Sequence, residues 1–127
     1  MHHTITYHDP KSLIPHEKVD MDKLHLVIRS VKKQGGVRHP VVIDRESRVI
    51  LDGHHRCQAY IALKIQNVPC LEVDYFDPTI TLSFRRKDVG LMIIKKGIIR
   101  SALKGSVFPH KTTKHNFPNR VKTIVTI

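Results

Sequence analysis

Apolar positions recur along the chain with two different periods, and each period predicts an element. From Asp20, a residue suited to a helix N-cap, to Gln34, the residues Leu24, Val27, Ile28 and Val31 follow the 0, 3, 4, 7 spacing of a helix with one buried face, and Gly35-Gly36 ends it. Pro40-Val41-Val42-Ile43-Asp44 is an apolar run of strand length, Arg45-Glu46-Ser47 a turn, and Arg48 to Leu51 the returning strand of a hairpin. Gln58-Ala59-Tyr60-Ile61-Ala62-Leu63 reads as a helix. Val68 to Tyr75 then alternates, Leu71, Val73 and Tyr75 against Cys70, Glu72 and Asp74, which predicts a half-exposed strand. After the turn Asp77-Pro78, Ile80, Leu82 and Phe84 alternate with Thr81, Ser83 and Arg85 as a further strand. Leu91, Ile94, Ile98 and Ala102 predict a helix from Asp88, its cap, to Lys104, stopped by Gly105, with Gly97 inside it costing about 1 kcal/mol.

The two ends are less patterned. Residues 1–15 are poorly patterned, and Pro10 and Pro15 bracket a loop with Leu13 and Ile14 as a short extended anchor. Pro109, Pro118 and Asn119 break up residues 106–120, and Val121 to Ile127 reads as a closing strand. The whole predicts an α/β (α+β) fold, a small mixed sheet flanked by helices, in a single domain spanning 1–127.

Charge narrows the partners. The chain carries 22 Lys+Arg against 11 Asp+Glu, a net +11, which points to an anion: a nucleotide, a nucleic acid or a phosphorylated metabolite. Cys57 and Cys70 lack metal-type spacing and fall in predicted elements, so both are expected as buried free thiols in a reducing cytoplasm. The first residues contain no apolar signal core and no run of about 18 apolar residues occurs, so a cytoplasmic protein without membrane contact is expected.

The chemistry concentrates in Leu51-Asp52-Gly53-His54-His55-Arg56. A glycine between a strand and a helix aims backbone N–H groups and the positive end of the helix dipole at an anion, and Arg56, one turn in, can add a donor fork. Asp52 suits a metal ion or a hydroxyl proton. Three other segments carry more polar chemistry than packing asks for: His16-Glu17, Ser30 and Lys111 to His115. Each has a plainer reading, as a solvated carboxylate, a helix-end hydroxyl and a basic loop respectively. Ten histidines invite a zinc site, but neighbouring ligands diverge on a helix and paired C-x2-C spacing is absent. Mg²⁺ held jointly by Asp52 and substrate phosphates is the more natural metal, and there is no P-loop.

The turn Asp52-Gly53-His54-His55-Arg56 resembles the signature of the ParB/sulfiredoxin-like superfamily, and within it the archaeal free L-serine kinases. Pro15-His16-Glu17, Ile28-Arg29-Ser30-Val31, Val73-Asp74-Tyr75-Phe76 and Pro109-His110-Lys111-Thr112-Thr113-Lys114-His115 carry the same likeness. It implies a kinase that moves a phosphoryl group from ADP or ATP, with Mg²⁺, to the hydroxyl of free L-serine, in serine or cysteine metabolism. By the same likeness Glu17 is the general base, and Asp52 and His55 stand near the transferred group, Asp52 also as the metal ligand. Gly53, His54, Arg56, Lys111 and Thr113 hold the nucleotide, and Ser30, Thr112 and His115 hold the amino acid. This chain is shorter than those kinases, with only a strand and one helix between Tyr75 and the threonine loop. The rival from another class is a ParB-like DNA-binding protein or nuclease, which the net charge would suit. Against it stand the absence of a helix-turn-helix pattern, only 6% aromatic residues and dispersed basic residues.

Overall fold

The computed structural model describes residues 3–35, 39–83, 91–105 and 114–116. Strand β1 (His3–His8) is followed by a 3-10 turn at Pro10–Ser12 and helix α1 (Met21–Gln34). Next come β2 (Val41–Asp44), β3 (Ile50–Asp52), α2 (His54–Ala62) and β4 (Val68–Val73). Then β5 (Thr81–Ser83), α3 (Leu91–Leu103) and β6 (Lys114–Asn116) complete the described elements. The main sheet has the order β1-β4-β2-β3, with β4 parallel to β2 and antiparallel to β1, and β2 antiparallel to β3. It is the small mixed sheet with flanking helices that the sequence predicts.

The elements form where local chemistry allows. Asp20, in extended conformation, accepts the Lys23 N–H on its side chain and starts α1; Gly35, at φ 75°, ends it in the left-handed conformation that glycine adopts without strain. The β2–β3 turn is tied by the buried Asp44 carboxylate, which accepts from the Ser47 N–H at 3.1 Å and hydroxyl at 2.7 Å and from the Tyr75 N–H at 3.1 Å. One sheet face packs Val42, Leu71, Val73 and Tyr75 with Ile98 of α3. The other packs Val41, Ile43, Val68 and Cys70 with Val31 of α1 and Cys57 and Tyr60 of α2.

Three readings change. The first residues, which show no pattern in the sequence, form a strand: β1 pairs over six positions with β4, and the Thr6 hydroxyl and the His8 ring both engage Glu72. Its apolar residues stay in water, Ile5 at 47% and Tyr7 at 63% exposure, which is why an apolar-burial pattern does not betray it. The strand at 68–75 is not half-exposed at Cys70, which is fully buried, because β4 lies inside the sheet and carries helices on that face. Residues 114–116, read as loop, pair with β5. The Asp88 cap and the closing strand at 121–127 lie outside the described residues.

Both thiols are free and buried as expected. Burial pushes Cys57 up to about 12 and Cys70 up to about 11, so neither is a nucleophile at neutral pH. Gly97 lies inside α3, and no described atom lies within 4 Å of where its Cβ would be. Gly97→Ala is therefore expected to stabilise the fold by about 0.5–1 kcal/mol, read as a higher urea midpoint with an unchanged slope. An unchanged or lowered midpoint would show that the position needs the bare backbone.

Candidate active site

The main sheet brings two segments together. Ile14 makes an isolated parallel bridge to Val49, its N–H donating to Arg48 O at 3.0 Å while the Ile50 N–H donates to Ile14 O at 2.8 Å. The expected anchor at Leu13-Ile14 thus exists, and it delivers His16 and Glu17 to the start of α2. From the other side β3 ends at half-buried Asp52, and Gly53 turns the chain into α2 at φ 97° and ψ 28°. A Cβ on Gly53 would meet Val41 at 3.6 Å, an ordinary contact, so the backbone conformation rather than space selects glycine. Gly53 supplies no side-chain cap, and the helical ladder begins with Cys57 N–H to Gly53 O at 2.8 Å. The first-turn N–H groups precede that ladder, as at the start of any α-helix.

The side chains of the turn then diverge. His54, 8% exposed, accepts the His16 backbone N–H on Nε2 at 3.1 Å and meets the His16 ring edge-on at 4.5 Å. His55 accepts the Asp20 N–H on Nε2 at 2.9 Å, which fastens α2 to the cap of α1. Both rings accept at Nε2, the behaviour of neutral imidazoles protonated on Nδ1. Arg56 Nη1 donates to Pro40 O at 3.0 Å, and the Tyr60 hydroxyl donates to His39 O at 3.1 Å, so α2 grips the approach to β2 with two hydrogen bonds.

A cavity of about 610 Å³ opens between the 10–19 segment and one stripe of α2. Leu13, Ile50 and Ile61 give it apolar walls, and Glu17 and His54 both line it. Lys11 and Lys18, both exposed, contribute cationic donors to the same space. The Glu17 carboxylate, 12% exposed, stands 3.8 Å from His16 Nε2.

Of the residues singled out in the sequence, Glu17 and His54 share this cavity, while Asp52 and Gly53 stand at the head of α2. His55 and Arg56 are bound to α1 and to the β2 approach. Ser30 is exposed on α1, accepts from Gln34 Nε2 at 3.4 Å, and does not line the cavity. Lys111, Thr112 and Thr113 lie outside the described residues, and His115 sits in β6 with its backbone opposite Leu82. Among the described residues no group of three or more His, Cys, Asp or Glu could hold a metal. A single carboxylate at the start of α2 fits Mg²⁺, which binds through one or two carboxylates plus substrate phosphates. No described helix is long and apolar enough to cross a membrane. Sequence reading missed Lys11 and Lys18, because their meaning depends on where Ile14 pairs, and it gave the burial of His16 no weight.

No family model matches the chain. A ParB-like protein from Sulfolobus acidocaldarius is 38% identical over 66 residues, 52% of this chain and 33% of that protein. An ATP-dependent L-serine kinase from Staphylothermus marinus is 30% identical over 78 residues, 58% of this chain and 31% of the kinase. The match thus spans about a third of each curated relative. Among solved structures, a free serine kinase in complex with AMP superposes with a TM-score of 0.73 at 15% identity, over 90% of this chain and 88% of the kinase. The chain has the fold of the free serine kinases. A conserved hypothetical protein from Pyrococcus furiosus shares it too, at a TM-score of 0.76 and 15% identity over 90% of this chain and 91% of that one. A free serine kinase variant with alanine in place of a glutamate, in complex with ADP, superposes at 0.71 with 14% identity, over 90% of this chain and 88% of that one. The relatives thus include both groups that the glycine turn resembles.

Proposed function

We propose that the protein transfers a phosphoryl group from ATP or ADP to the hydroxyl of free L-serine, giving O-phospho-L-serine. The observation that carries this reading is that the Glu17 carboxylate and His54, the first residue of α2, line one cavity, which brings the proposed base to the head of that helix. Phosphoryl transfer asks for positioning, charge neutralisation and a deprotonated alcohol rather than for covalent chemistry by the protein. Glu17 takes the hydroxyl proton. The first-turn N–H groups behind Gly53 hold donor phosphate, and Lys11 and Lys18 offset its charge at the cavity. Asp52 would hold Mg²⁺ together with the phosphates, and the ion would supply further charge neutralisation. By the family likeness His55 stands near the transferred group and Arg56 adds donors to the nucleotide, while their bonds to Asp20 and Pro40 fix α2 against its neighbours. By the family likeness Lys111 and Thr113 complete the nucleotide contacts, and Thr112 and His115 those to the amino acid. By the same likeness Ser30 also holds the amino acid, from an exposed position on α1 outside this cavity. The relative named as an ATP-dependent L-serine kinase and the neighbours solved with AMP and ADP support the reading.

Calorimetric titration with ATP and with ADP in the presence of Mg²⁺ tests the nucleotide half of this proposal. Saturable binding at one site is expected for at least one of them; no binding of either would contradict it. A second reading, DNA binding, is favoured by the ParB-like relative and by the net charge of +11. Duplex affinity that collapses between low and physiological salt without base preference would reduce that reading to non-specific charge attraction.

A further inference from the structure

His16 is a fully buried imidazole in a loop, where a polar ring is costly unless its nitrogens are used. Its Nδ1 lies 2.6 Å from Ile50 O. A carbonyl only accepts, so Nδ1 carries the proton and donates it, which leaves Nε2 as the ring atom that can gain or lose one. Nε2 faces the Glu17 carboxylate, 3.8 Å from Oε1. That is wider than a hydrogen bond and within the range of a charge–charge contact. Three described groups meet the ring: Ile50 O of β3 on Nδ1, His54 of α2 against its edge, and Glu17 of its own segment near Nε2. Burial lowers the proton affinity of the ring below that of an ordinary imidazole, while the Glu17 charge and the Ile50 hydrogen bond pull the other way.

We propose that His16 and Glu17 act as one proton-holding pair, in which His16 aims the carboxylate at the cavity and takes over the proton that Glu17 removes from the acceptor alcohol. This rests on the kinase reading for the identity of the alcohol. As the new oxygen–phosphorus bond forms, the alcohol O–H bond breaks and its proton goes to a Glu17 oxygen. The Glu17 O–H bond then breaks and the proton passes to His16 Nε2, leaving an imidazolium beside a carboxylate. Rotation about the last, broad torsion of the glutamate closes the gap. The imidazolium later returns the proton through Glu17 to solvent at the cavity. His16 touches no substrate and is a positioning residue.

Two variants separate this role from a merely structural one. His16→Asn keeps a side-chain N–H for Ile50 O and has no atom in the place of Nε2. It is expected to lower kcat for phosphoserine roughly tenfold to a hundredfold, with both KM values within about twofold and the acidic limb of the kcat–pH profile displaced. Independently of turnover, ¹⁵N NMR of the imidazole nitrogens in otherwise unmodified protein should find His16 protonated on Nδ1. Glu17→Gln should then move the His16 titration to lower pH by roughly one unit, because it removes the charge that favours the imidazolium. A folded His16→Asn with wild-type kcat and pH profile, or a His16 titration indifferent to Glu17→Gln, overturns the proposal. A His16 titration that responds to Glu17→Gln in a protein making no phosphoserine would uphold the pair and remove the kinase reading instead.

Discussion

Glu17→Gln is expected to lower phosphoserine formation by roughly 10²- to 10⁴-fold, the range that a positioned general base contributes. The amide keeps the shape of the side chain and its place on the cavity wall, so nucleotide affinity should stay within about twofold of wild type. That separation is what assigns chemistry rather than binding to the residue: a loss in kcat with unchanged nucleotide affinity marks an interaction made only on the way to the transition state. Steady-state rates for the variant, paired with calorimetric nucleotide affinities, provide the check. Near wild-type turnover would remove Glu17 from the reaction, whereas lost nucleotide binding would make it a structural carboxylate.

Gly53→Ala is expected to destabilise the fold by about 1–2 kcal/mol, the cost of putting a Cβ-bearing residue into the left-handed region. Gly53 sits at φ 97°, and the methyl itself would meet Val41 at only 3.6 Å, so strain and not collision carries the penalty. Relieving that strain means tilting the start of α2, which moves the N–H groups proposed to hold phosphate, and nucleotide affinity should fall with stability. Gly53→Asn separates conformation from bulk. Asparagine tolerates positive φ better than alanine although it is larger, so it should be the milder change. Urea unfolding of the three proteins reads this order, and an alanine variant as stable as wild type would show that the turn does not depend on glycine.

Much of this architecture is legible in the sequence because it is locally encoded. Asp20 and Gly35 announce the ends of α1 by their own chemistry, and the apolar run at 41–43 with its polar turn announces the hairpin. The glycine turn after Leu51 is visible for the same reason, since a residue that tolerates positive φ stands between an apolar strand and a helix. What escapes is set by neighbours distant in sequence. β1 keeps Ile5 and Tyr7 in water and is held by pairing to β4 and by Glu72, none of which leaves an apolar period. Cys70 looks like the wet face of an alternating strand, and only the inner position of β4 makes it core. The divergence within the turn is of the same kind. The bonds that Arg56 makes to Pro40 O and that His55 accepts from the Asp20 N–H join the turn to segments that its own sequence does not point to. The motif marks where the chemistry gathers, and the fold decides which of its side chains reach the cavity.

Phosphorylation of a free amino acid at this cavity is the proposal on which the residue roles depend. The most direct test is a product assay with purified protein, Mg²⁺, L-serine and either ATP or ADP, with phosphoserine and nucleotide products separated by chromatography. Phosphoserine that forms in step with the spent nucleotide, depends on L-serine, and vanishes with Glu17→Gln is the predicted result. Folded protein that yields no phosphoserine from either donor would contradict it.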